Sequence, residues 1–173
     1  MTPAASAPVF SAVQHLLDAG LLTTTVPWDQ GRLEHLASAL APEWGMTVST
    51  DNVVIALPNP PRPSGFSSTV VAYGHHCSPT ASTVLPTALT EALRLEATSP
   101  LYRETAVTAD PTTDQNSTFS MSATYTTDSG HEATVSEYLH HDTEMGAVWA
   151  VVATDADREG MIVVDALRNH RPR

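Results

Sequence analysis

The chain has one cysteine, no lysine, few aromatic residues and no long apolar run, and each shortage removes a class of protein. The lone Cys77 excludes an intramolecular disulfide framework and suits a reducing compartment. The longest uninterrupted apolar run, Ala147 to Ala153, falls far short of the roughly 20 residues that span a bilayer as a helix. The opening MTPAASAPVF has neither the basic start nor the apolar stretch of a secretory leader. Together these absences predict a cytoplasmic protein with no membrane attachment. Aromatics are 6% of residues although 42% are hydrophobic, so the core has to be built from Val, Leu, Ile and Ala. Abundant Ala and Thr with no Lys match the codon usage of a GC-rich bacterial genome.

Without lysine, eight arginines face nineteen acids, for a net charge of −11. Residues 104–165 alone hold twelve acids against Arg158, which equals the charge of the whole chain. The end of the chain returns Arg168, Arg171 and Arg173. A field this one-sided repels phosphate backbones and anionic lipid and attracts cationic partners.

At 173 residues, the chain is expected to form one domain over 1–173, with 166–173 as a frayed basic tail. Helical spacing appears three times. Residues 8–19 place Val9, Val13, Leu16 and Leu17 on one face before Gly20; residues 27–40 do the same with Leu33, Leu36, Ala37 and Leu40 before Pro42. Residues 82–97 line up Leu85, Leu89, Ala92 and Leu93, with Ser82 or Thr83 as cap and Pro86 in the first turn. Met46–Ser49 and Val53–Leu57 flank Thr50-Asp51-Asn52 as a hairpin, and Thr69–Tyr73 follows as a third strand. The four prolines between 58 and 63 make an extended connection, a better account than an SH3 ligand.

The clearest pattern is the alternation of Phe119, Met121, Ala123 and Tyr125 with Thr118, Ser120, Ser122, Thr124 and Thr126. It predicts a strand with one buried face and one hydroxyl-covered, solvated face. Ala133, Val135 and Leu139 continue as its partner, Ala147–Ala153 is apolar on both faces and therefore central, and Asp155–Gly160 turns the chain into Met161–Val164. The expected fold is α+β: an antiparallel sheet of about six or seven strands, ending in a four-strand meander, with three helices packed on one face. Phe119, Met121, Tyr125, Val135, Leu139, Val151 and Ile162 are its predicted buried sheet residues.

Few groups suggest chemistry. His75-His76 and His140-His141 each end a strand, so each pair offers at most one imidazole to a shared metal site, and their spacing fits no ligand motif. Cys77 beside those histidines lacks a fold-built base and reads as a small strand-end side chain. Asp155–Gly160 resembles half a calcium loop, but Ala166 stands where a bidentate Glu is required, so a turn explains it. Trp149 belongs to the core, and Trp28 and Trp44 bracket the second helix. No metal or cofactor is expected.

These features predict a non-catalytic intracellular protein-binding module that presents an acidic sheet surface to a basic protein, with Glu132, Glu137, Asp142 and Glu144 as the partner-binding residues. Small acidic α+β proteins include secretion chaperones and toxin-immunity proteins, an analogy at the level of fold alone. The alternative is a small enzyme or ligand-binding protein with a pocket between sheet and helices, metal-dependent through the histidine pairs. The charge reading has a direct test: a mobility-shift assay at about 50 mM salt should show no retardation of DNA or RNA. Retardation that weakens steeply with salt would reveal an arginine patch.

Overall fold

The computed structural model describes residues 11–40, 42–58, 68–81, 83–110, 116–126 and 130–169. In chain order its elements are α1 (Ser11–Asp18), β1 (Leu22–Thr25), α2 (Gln30–Ala39), β2 (Trp44–Val48), β3 (Val54–Pro58), β4 (Thr69–Cys77), α3 (Leu85–Ala97), β5 (Arg103–Asp110), β6 (Asn116–Thr126), β7 (Glu132–Asp142), β8 (Ala147–Thr154) and α4 (Asp157–Asn169). The strands form one antiparallel sheet in the order β2-β3-β4-β8-β7-β6-β5, with β1 pairing the far end of β4.

The doubly apolar strand sits at the centre, as its composition requires. Successive side chains on a strand point to opposite faces. Val148, Ala150 and Val152 join one core with α1 and α3, where Leu16, Leu85, Leu89 and Leu93 are buried. Ala147, Trp149, Val151 and Ala153 join a second core with α2 and α4, through Leu36, Leu40, Val163, Val164 and Leu167. Each fully buried Leu or Val contributes roughly 1.5–3 kcal/mol, so neither core is expendable.

This arrangement corrects the expected layering. The described residues contain four helices, not three, and they cover both faces of an eight-stranded sheet instead of one. The extra helix is α4, which takes up Met161–Val164, expected as a strand; Ile162 is half-buried there, while the other six predicted sheet residues are buried in strands. A four-strand C-terminal meander does exist, but it runs β5-β6-β7-β8 and ends before Asp155. Asp157 and Glu159 lie in the first turn of α4 and Arg168 in its last, matching the helix dipole at both ends. Ala166 and Leu167 are buried in it, so the basic tail is not frayed from 166; residues 170–173 lie outside the described residues. Most of the proline-rich connection (59–67) lies outside them too.

The remaining helices follow their sequence faces with adjustments. Asp29 caps α2, its carboxylate accepting from the Arg32 backbone N–H at 2.7 Å and pairing with the Arg32 guanidinium at 2.5 Å. The cap position of α3 is Val84, without a side-chain bond, although Pro86 occupies the first turn as expected. Buried Glu96 of α3 accepts from the Ala12 N–H at 3.2 Å, satisfying an orphan donor at the start of α1. Thr23, Thr24 and Thr25, between the first two helices, belong to β1.

Two glycines let the layers close up. A Cβ on Gly74 would meet the Trp149 ring at 2.7 to 2.9 Å. One on Gly160 would lie 2.7 Å from the Ala153 Cβ, so α4 rests against β8 at that point. Gly160→Ala should therefore destabilise the fold by about 1–3 kcal/mol in denaturant titration, despite the better helix propensity of alanine. Ala153→Gly in the same chain should recover part of that loss. A Gly160→Ala protein as stable as the parent would contradict so close an approach.

Candidate functional site

Helix coverage of the α2/α4 face is incomplete. Its apolar half lies on β3, β4 and β8, where Val54, Ala56, Val70, Ala72, Val151 and Ala153 meet the helices. The remaining half, on β5, β6 and β7, carries the hydroxyl side of the Thr118–Thr126 alternation. Register places Ser120 opposite Tyr138, Ser122 opposite Ser136 and Thr124 opposite Thr134, all pointing to that face. The boundary is Tyr138, whose phenol donates to Asp157 at 2.6 Å at the start of α4.

An open groove of about 450 Å³ runs over this region. Its floor is Ser120, Ser122, Thr124, Thr134, Ser136 and Tyr138, and carboxylates stand on two walls, Asp157 on α4 and Glu104 on β5. Among the described residues no cationic side chain lines it. Arg103 stands at one end, held by Glu132 at 2.6 Å and Thr126 at 3.0 Å. Glu104 and Asp155 are two of three described non-glycine residues with positive φ, at +52° and +47°. Glu104 sits where the β5–β6 register shifts, and Asp155 accepts from the Thr134 backbone N–H at 2.8 Å. Left-handed backbone is costly for such residues, and here it aims the β5 wall and fixes the entry to α4.

The four acids expected to bind a partner do not form one surface. Glu132 and Glu137 face opposite sides of β7, as five-residue spacing requires. Glu137 is 1% exposed in the core beneath α1 and α3, which makes its assignment as a surface contact incorrect. Its Oε1 makes no hydrogen bond among the described residues. Asp142 and Glu144 lie at the opposite end of β7 from Glu132, about 34 Å away at the usual strand rise. There Asp142 accepts from the Met145 N–H at 3.1 Å in the turn to β8, and Glu144 is exposed.

The histidine pairs end on either side of β8. His75 and His141 occupy one level and one face, both opposite Val148. The His75 Nδ1 lies 2.9 Å from the Thr23 carbonyl, which draws the ring toward β1 and away from β8. Burial lowers the His141 pKa, with the nearby Asp142 charge opposing. His140 points to the other face, its Nδ1 3.2 Å from Thr118 Oγ1. Among the described residues no three His, Cys, Asp or Glu side chains are grouped to hold a metal ion. Burial, aided by Asp142, pushes the Cys77 thiol up to about 11, and burial with the Asp157 contact raises the Tyr138 phenol well above its ordinary value. Both shifts oppose nucleophile or base roles near neutral pH.

Only part of the groove was legible in the sequence. Alternation marks Ser120, Ser122 and Thr124 as a solvated face, but the sequence places Asp157 in a turn and gives Glu104 no role. An acid in the first turn of a helix was the available signal for Asp157.

No protein-family model and no curated protein sequence matches the chain. Among solved structures, the crystal structure of LpqN, involved in cell envelope biogenesis of Mycobacterium tuberculosis, is similar with a TM-score of 0.51. The two are 18% identical, and the likeness covers 75% of each chain, a resemblance of fold alone. No helix among the described residues is long and apolar enough to cross a membrane. The thiol shift has its own check. Alkylation of Cys77 should be slow near neutrality and rise with a midpoint near pH 11; a midpoint at the ordinary value of 9.0 would contradict the packing around it.

Proposed function

We propose that this protein is a non-catalytic binding module that receives a basic segment of another protein in the hydroxyl-lined groove of β5, β6 and β7. The observation that carries this reading is the lining itself, on the half-face that α2 and α4 leave uncovered: hydroxyl side chains and two carboxylates, with no cation among the described lining residues. A lysine or arginine entering there meets carboxylate acceptors on the walls and hydroxyl acceptors on the floor, and charge-assisted hydrogen bonds are the stronger kind. The net charge of −11 steers a cationic partner toward the protein from a distance, and the groove gives it a place to dock. Anionic ligands are disfavoured by the same carboxylates.

Of the four acids expected to bind a partner, Glu132 adjoins the groove through its pair with Arg103 and belongs to the proposed surface. An exposed pair of this kind is worth little by itself, so a partner can displace Arg103 at small cost. Asp142 and Glu144 lie too far along β7 to share the contact. The raised Cys77 and Tyr138 values favour binding over catalysis. A cytoplasmic location is part of the proposal and rests on the lone cysteine; the involvement of LpqN in cell envelope biogenesis makes the cell envelope the competing location.

The test uses a short arginine-rich peptide as probe, titrated against the full chain at about 50 mM and about 150 mM salt. Binding should weaken as salt rises. Asp157→Asn combined with Glu104→Gln should reduce affinity about tenfold or more, equivalent to about 1.4 kcal/mol. Asp142→Asn with Glu144→Gln, which removes the same charge elsewhere, should have a smaller effect. Equal losses from both pairs would reduce the groove to a general charge effect, and no loss from either would remove it as the site.

A further inference from the structure

The two edges of the sheet differ in how they are guarded. β5 ends one side with Arg103 and Glu104, a register shift between Arg103 and Ala106, and a left-handed residue inside that shift. Charges and bulges are the usual protection of an exposed edge. β2 ends the other side with none of these. Trp44 to Val48 runs in unbroken register with β3, contains no charge and no proline, and pairs with no other strand among the described residues.

Its side chains fit a copy of themselves. Trp44, Met46 and Val48 point to the α2/α4 face, Trp44 buried, Met46 half-buried and Val48 45% exposed. Behind them on the opposite face, Leu57 is 43% exposed and pairs with Gly45. An antiparallel pairing centred on Met46 places Trp44 of each copy opposite Val48 of the other, and Met46 opposite its counterpart. A two-fold axis perpendicular to the sheet keeps both α2/α4 faces on the same side. The apolar row of one core then continues into the next, and Val48 loses its solvent exposure.

We propose that β2 is a homodimer edge, where two copies of this chain join their sheets antiparallel about Met46. Charge selects the occupant. A basic partner gains nothing from an uncharged strand, whereas a second chain of charge −11 needs a contact away from its own acids. Residues 44–58 carry a single charge, Asp51, at the tip of the hairpin. Pairing stops at two because an isologous contact uses up β2 on both copies and β5 is guarded. Five residues of edge fall below the roughly 800 Å² per partner of a standard interface, so the dimer is weak and concentration-dependent.

Sedimentation velocity on the full chain over a range of concentrations is the experiment. Wild-type protein should show a reversible monomer–dimer equilibrium that strengthens from about 0.15 M to about 1 M salt, as mutual repulsion is screened. That salt trend is opposite to the one expected for the groove, so the two readings fail separately. Val48→Asp alters an exposed position and should leave the circular dichroism spectrum unchanged while weakening the dimer at least about tenfold. Leu95→Asp, at a 52% exposed site on α3, should leave the dimer intact. A wild-type monomer at every concentration and salt overturns the proposal, as does dimerisation of Val48→Asp at wild-type strength or its equal loss in Leu95→Asp.

Discussion

Strand β8 has no side that tolerates water, and much of the architecture follows from that. With Val148, Ala150 and Val152 on one face and Ala147, Trp149, Val151 and Ala153 on the other, both faces of the sheet centre must be covered. α1 and α3 supply one cover; α2 and α4 supply the other. Trp149 fixes the second cover most tightly. Gly74 gives its ring room on the neighbouring strand, the Arg32 guanidinium lies 5.2 Å from its centroid, and Trp28 packs at 4.8 Å. Trp28 in turn donates its indole N–H to the Asn52 carbonyl at 2.9 Å, linking the start of α2 to the β2–β3 hairpin. Because α2 and α4 gather over the apolar half of this face, the hydroxyl half is left open.

The sequence was most informative where a single periodicity ran unbroken. The Thr118–Thr126 alternation identified β6 and its two faces, and the spacing of Leu85, Leu89, Ala92 and Leu93 identified the buried stripe of α3. It was least informative at Asp155–Val164. Met161–Val164 is a short apolar run, and four such residues fit a strand or a buried helical segment equally well. Gly160 read as a turn residue, yet its role is to let a helix lie against Ala153. With Met161–Val164 taken as a strand, the α2/α4 face lacks one of its two covering helices, and the expected layering puts every helix on one face.

The acidic balance was visible, but its placement was not. Composition cannot show that Glu137 and Glu96 are buried on the α1/α3 side while Glu104 and Asp157 stand beside a row of hydroxyls. Those two groove acids come from elements 47 or more residues apart at their nearest ends, brought together by the ladder from β5 to β7 and the Tyr138–Asp157 bond from β7 to α4. A patch assembled across elements leaves no spacing rule in the chain. Counting charge within residues 104–165 locates the acidic excess but does not show which of its members share a face.

The strand order also has a consequence for how the chain acquires its structure. β5 to β8 form a meander of sequence neighbours, whereas β4 must wait for β8, since Thr69 pairs with Thr154 and His76 with Ala147. Closing so large a loop costs chain entropy before any contact repays it, so this pairing belongs to the slow part of folding. During synthesis, β2, β3 and β4 leave the ribosome long before the strand that covers the inner edge of β4 has been made. In that interval the hairpin and β4 expose open strand edges on both sides, with a single acid in residues 44–58 to discourage association. The nascent chain is therefore most aggregation-prone in its N-terminal half, and the strongly acidic C-terminal half arrives together with the strand that closes the sheet.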